Sequence, residues 1–268
     1  MSKEIDLYKL YSELYRKLLK ISSAAGIETS QLKNYFIPDG KLKKESKMCR
    51  LAYSLQNSGM MHNSIRFETD NKDIIEKVLF SFNAGKITDT YSSHKDLYEA
   101  FINSGIIDNG IGKNKETNWD KYARGLFDGA TFLSKENGEN TLDKLIKFNG
   151  SGISEEMFDE IKNIQNRIHG LGFALTCDWL KECGCTWLAK PDVHIKKVCE
   201  EITRNTELND KDVIRFMFEW AKEIETQEKD ITAYKLDKVI WLICTGNFYL
   251  DNVKFGRDII IKTIKNIS

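Results

Sequence analysis

The stretch His169-Gly170-Leu171-Gly172 sets two glycines two positions apart between two apolar-periodic segments. Glycine takes positive φ without the penalty a Cβ brings. A helix starting just behind it leaves its first amides with no intrahelical partner, and such a terminus attracts a phosphate. A plain helix-to-helix turn with a glycine cap has the same residues, so the spacing alone leaves both readings open. A second group follows at Lys190-Pro191-Asp192-Val193-His194, just ahead of an amphipathic run. Aspartate after proline at that point is a favoured N-cap. His194 follows two residues on, and a lone histidine on an amphipathic helix is more often structural.

The elements that must position these groups are helices. Leu7, Leu10, Tyr11, Leu14 and Leu18 form one stripe at 3.6-residue spacing. Similar patterns recur at 72–82, 95–105, 120–134, 141–148, 154–168, 173–183, 193–202, 211–224 and 233–244. Ser154 reads as an N-cap with Glu155 and Glu156 behind it, and Asp210 and Asp212 open a later helix in the same way. No period-two stretch stands out, and the two prolines leave long helices uninterrupted. The predicted class is all-α. Glycine-bearing polar stretches at 109–118 and 134–140 read as surface loops.

Composition narrows the function classes. At 41% hydrophobic and 30% charged, the 268 residues suit a folded core in one or two domains. No apolar run approaches the roughly 20 residues that span a bilayer, so no membrane partner is expected. The acid-bearing, helix-patterned start is unlike a secretion signal, and a cytoplasmic location is expected. Cys177, Cys183 and Cys185 cluster, but without metal-site spacing, so free thiols and no metal are expected. With 40 basic and 40 acidic residues the formal charge is zero, so any DNA binding must come from a local patch and backbone amides.

At this point HGLGFALTCDWL and PDVHIKKV together resemble the helix-hairpin-helix DNA glycosylase superfamily, which includes the endonuclease III, adenine-mismatch, alkylation-repair and 8-oxoguanine enzymes. The likeness covers roughly 40 residues. It implies a hairpin over 161–183 within a helical barrel lobe, 48–186. It also implies a second lobe, 1–47 plus 187–268, that carries the essential aspartate, with a DNA cleft between the lobes. Asp192 matches that aspartate, and the hairpin residues His169, Gly170, Leu171, Gly172 and Ala174 match the phosphate-holding turn. Gln56 and Asn57 match the helix end that fills the gap left by a flipped base, and Trp241 is a candidate wall of the base pocket beside His194. For Trp241 a plain core role is the commoner fate of such a residue. The implied partner is double-stranded DNA with an altered base, acted on by a monomer without cofactor.

One departure shapes the chemistry. Bifunctional members carry a lysine in the second hairpin helix, where this chain has Ala174. Lys181 lies two turns further on, and Lys190 sits in the loop before Asp192. The resemblance therefore implies base removal without strand cleavage, in repair or against phage DNA. A catalytically silent DNA-binding relative and an unrelated helical interaction protein are the alternatives. The basic run Lys43, Lys44, Lys47 and Arg50 reads either as a phosphate contact or as a solvated face.

Overall fold

In a computed structural model, which describes residues 5–107, 117–255 and 260–267, the chain is helical almost throughout. In chain order the helices are α1 (Leu7–Ala24), α2 (Thr29–Leu32), α3 (Asp39–Leu42), α4 (Lys47–Leu55), α5 (His62–Ile65), α6 (Lys72–Val78), α7 (Ala84–Thr90) and α8 (His94–Asn103). They continue as α9 (Asn118–Lys135), α10 (Gly138–Ile146), α11 (Glu155–Arg167), α12 (Phe173–Cys183), α13 (Val193–Thr203), α14 (Asp210–Glu225), α15 (Ala233–Thr245) and α16 (Ile260–Ile267). A two-stranded antiparallel ribbon, β1 (Asn247–Phe248) with β2 (Val253–Lys254), is the only sheet among the described residues. The class is all-α. Most of the loop predicted at 109–118 lies outside the described residues. Among the described residues no helix is long and apolar enough to cross a membrane.

The chain divides into two compact units. The first comprises Met1–Lys43, Phe148–Ser154 and Gly184–Ser268. Its core joins the predicted stripe of α1 (Leu10, Tyr11, Leu14, Leu18) to buried residues of α13, α14, α15 and α16. Burying each large apolar side chain contributes about 1.5–3 kcal/mol before chain entropy is set against it. Trp220 of α14 is fully buried and satisfies its indole by donating to the Leu7 carbonyl at 3.0 Å, which ties α14 to the start of α1.

The second unit comprises Lys44–Lys147 and Glu155–Cys183, with α9 at its centre against α4, α7 and α8. Two glycines one turn apart, Gly125 and Gly129, allow the close approach. A Cβ at Gly125 would sit 2.5 Å from the His169 carbonyl oxygen, and one at Gly129 would sit 2.0 Å from Leu51 Cδ2. Tyr122, fully buried on α9 against Phe101 of α8, donates to the Ala52 carbonyl at 2.9 Å.

Two local expectations are corrected. The helix predicted over 72–82 stops at Val78, and Phe80, Ser81 and Phe82 are all left-handed, at φ 51, 55 and 60. Each costs about 1–2 kcal/mol relative to right-handed backbone. Phe82 repays part of that by burial against Phe67, and Asn83 then caps α7 with its side chain. In α14 the acids Asp210 and Asp212 do open the helix, in its first turn, and the correction is only that the cap ahead of them is Asn209, in a reciprocal box with Asp212.

Candidate functional site

The turn between α11 and α12 is set from beneath by α9, all within the second unit. His169 donates its amide to the Asp128 carboxylate at 3.0 Å, and its carbonyl occupies the space that Gly125 leaves open. Leu171 is buried and its amide returns to the Ile168 carbonyl at 3.3 Å. Gly170 alone takes positive φ, at 86, whereas Gly172 does not. Gly172 is exposed, a Cβ on it would meet open space, and its carbonyl accepts from the Thr176 amide and hydroxyl at 2.9 and 3.1 Å. The need for glycine at 172 is therefore not conformational. The His169 and Leu171 amides serve the protein itself. The amides of Phe173, Ala174 and Leu175, in the first turn of α12, are the ones the helix leaves without intrahelical acceptors.

The α4 end borders this turn: a Cβ at Gly170 would lie 3.5 Å from Ser58 Oγ. Gln56 is buried, and its Oε1 accepts from the Phe67 amide at 3.1 Å, so it braces the following segment. Asn57, the next residue, is exposed. Lys181 of α12 is only 3% exposed and lies among acids, 3.8 Å from Asp178 and 3.6 Å from Glu182. The basic run is largely spent on carboxylates. Lys47 pairs with Glu139 and, at 2.6 Å, with Asp143; Arg50 pairs with Glu45 at 3.1 Å and Lys43 with Asp39 at 3.4 Å.

Asp192 lies in the first unit, as the N-cap of α13 with extended backbone (φ −85, ψ 177). Its Oδ1 accepts from the amides of both His194 and Ile195, at 2.9 and 3.1 Å. Among the described residues nothing donates to Oδ2. The cap thus uses one carboxylate oxygen and leaves the second. A tight turn around Pro191 delivers the residue, with the Asp192 amide donating to the Lys190 carbonyl at 2.7 Å. The Lys190 amide in turn donates to Asp237 Oδ2 of α15 at 2.6 Å. His194 shares the first turn of α13 with Asp192 and is half-buried.

Trp241 lies further along α15, half-buried and edge-on to Tyr249, with ring centroids 6.0 Å apart. Beside it, buried Lys238 donates to the Tyr249 hydroxyl at 2.9 Å, which donates to buried Asp39 at 3.1 Å. A pocket of about 180 Å³ in the same unit is walled by Phe148, Trp187 and Phe218, with Lys222 and Glu225 among its lining residues. Asp192, His194 and Trp241 do not line it. Among the described residues no three His, Cys, Asp or Glu side chains gather as metal ligands.

Asp128, Gly125 and Asp237 belong to no motif. Their signals are weak ones: small residues four apart in GLFDG, and an acid that shares the largely apolar helix 233–244 with Lys235 and Lys238. Compared with protein-family models, with curated proteins and with solved structures, the chain matches none.

Proposed function

We propose that the protein is a monofunctional DNA N-glycosylase that excises an altered base from duplex DNA and leaves an intact abasic site. The observation that carries the reading is the divided carboxylate of Asp192, one oxygen capping α13 and the other without a donor among the described residues. A cap needs only the first. In the proposed reaction the target nucleotide leaves the stack. As the glycosidic bond lengthens, positive charge grows on the sugar, and the second oxygen of Asp192 stabilises it or orients the attacking water. The first-turn amides of α12 hold a backbone phosphate, which fixes register without reading sequence. Asn57 is the candidate for the gap in the stack, and Trp241 with His194 for the base pocket.

Strand cleavage needs an amine that attacks the sugar and forms an imine. Ala174 has none, and Lys181 is buried among carboxylates. Altered bases in repair or modified bases of phage DNA both suit the reading. The test is a panel of duplexes, each with one altered base, incubated with the protein and heated in alkali to cut at abasic sites. Cleavage of at least one duplex is expected. Salt-sensitive binding without cleavage of any would leave the silent DNA-binding alternative in its place.

A further inference from the structure

We infer that Asp237 is the positioning residue of the Asp192 turn. The inference deepens the proposed function and rests on the reading of Asp192 given there. Asp237 is 1% exposed on α15, a helix whose neighbouring residues Leu236, Val239 and Ile240 are fully buried in the core of the first unit. Burying a carboxylate costs several kcal/mol unless hydrogen bonds compensate. One of them is donated by the Lys190 amide at 2.6 Å.

The target of that bond is informative. Lys190 gives its amide to Asp237 and its carbonyl to the Asp192 amide, so both faces of the residue two places ahead of Asp192 are fixed. Pro191 between them has its φ locked by its ring. The chain just before is anchored to the same helix, because the Tyr234 amide donates to the Thr186 carbonyl at 3.0 Å. The helix that carries Asp237 packs against α13, and after burial and Glu200 the Asp237 carboxylate is among the causes that push the Cys199 thiol of α13 up. One buried acid therefore addresses the loop that leads into Asp192 and the helix that Asp192 caps. A role in holding the carboxylate at a fixed point asks for such a link, since displacement by about 1 Å can cost on the order of 100-fold in rate.

The experiment compares Asp237→Asn, which keeps an acceptor for the Lys190 amide, with Asp237→Ala, which removes it. Three readouts are taken on the full chain: amide hydrogen exchange at Lys190 and Asp192, base release, and affinity for duplex. In Asp237→Ala, protection at both amides is lost and base release falls on the order of 100-fold, while duplex affinity stays within about threefold of wild type. Asp237→Asn keeps the protection and most of the rate. Retained protection in Asp237→Ala overturns the inference. So does a rate in Asp237→Asn as low as that of Asp192→Asn, because the charge would then act in its own right. Should Asp237→Ala not fold, Asp237→Asn alone decides by that comparison. A wild-type protein that releases no base sinks the glycosylase reading, while the exchange data still judge the positioning role.

Discussion

Asp192 caps α13 with one carboxylate oxygen, and the proposed catalytic role falls to the other. Asn in its place retains an acceptor for the His194 and Ile195 amides, so Asp192→Asn should change folding free energy by less than about 1 kcal/mol, measured by urea denaturation. Gln56 and Asn57, adjacent in sequence, should separate in the opposite sense. Gln56→Ala strands the buried Phe67 amide and should cost about 1–3 kcal/mol. Exposed Asn57→Ala should leave stability within about 0.5 kcal/mol of wild type and, as the proposed wedge, slow base release. Borohydride trapping on a substrate duplex should give no covalent protein–DNA band; a band that vanishes in Lys190→Ala would make Lys190 a nucleophile. At this scale the sequence made Asp192 legible because its proline, its helix start and its spacing from the hairpin are all local. Asp237 was not legible, because its partner Lys190 lies 47 positions away and no local pattern joins them.

Among elements, the turn between α11 and α12 is held by α9 as well as by Gly170, whose φ is 86. Gly125→Ala forces a Cβ to 2.5 Å from a backbone oxygen and should destabilise the second unit by about 1–3 kcal/mol, seen in its urea midpoint. Gly172 should behave differently. Aspartate there finds open space and is a good cap, so Gly172→Asp should keep the midpoint, while its charge should repel phosphate and weaken binding to every duplex whatever its bases. Unchanged affinity in a folded Gly172→Asp protein would argue against a phosphate at this terminus. The long helices were legible, since the apolar period of α1, α9, α14 and α15 spans several turns, whereas short ones such as α7 and α16 were not. The left-handed run at 80–82 and the ribbon of β1 and β2 were not. The first lies inside an apolar pattern that reads as helix, and the second is too short to show a period of two.

For the whole molecule, zero formal charge limits long-range attraction to DNA. If only the α12 terminus and a few side chains meet phosphate, the logarithm of affinity should fall with that of salt with a slope no steeper than about 3. Its thiols should report the integrity of both cores. Cys49, Cys177, Cys185 and Cys199 are buried, and burial first of all pushes the Cys49 thiol up to about 12. Iodoacetamide at pH 8 should leave these four unmodified until denaturant unfolds the chain. The class of the fold followed from periodicity over the full length, but the joining of Phe148–Ser154 to the residues after Gly184 did not, because no local pattern marks it. The most direct test of the central claim is single-turnover base release by wild-type protein and by Asp192→Asn, on whichever duplex the panel identifies. Release by the wild type, with a loss of at least about 100-fold in a variant that folds and binds that duplex normally, is the result predicted. Release by Asp192→Asn at the wild-type rate would contradict it and leave Asp192 as a helix cap alone.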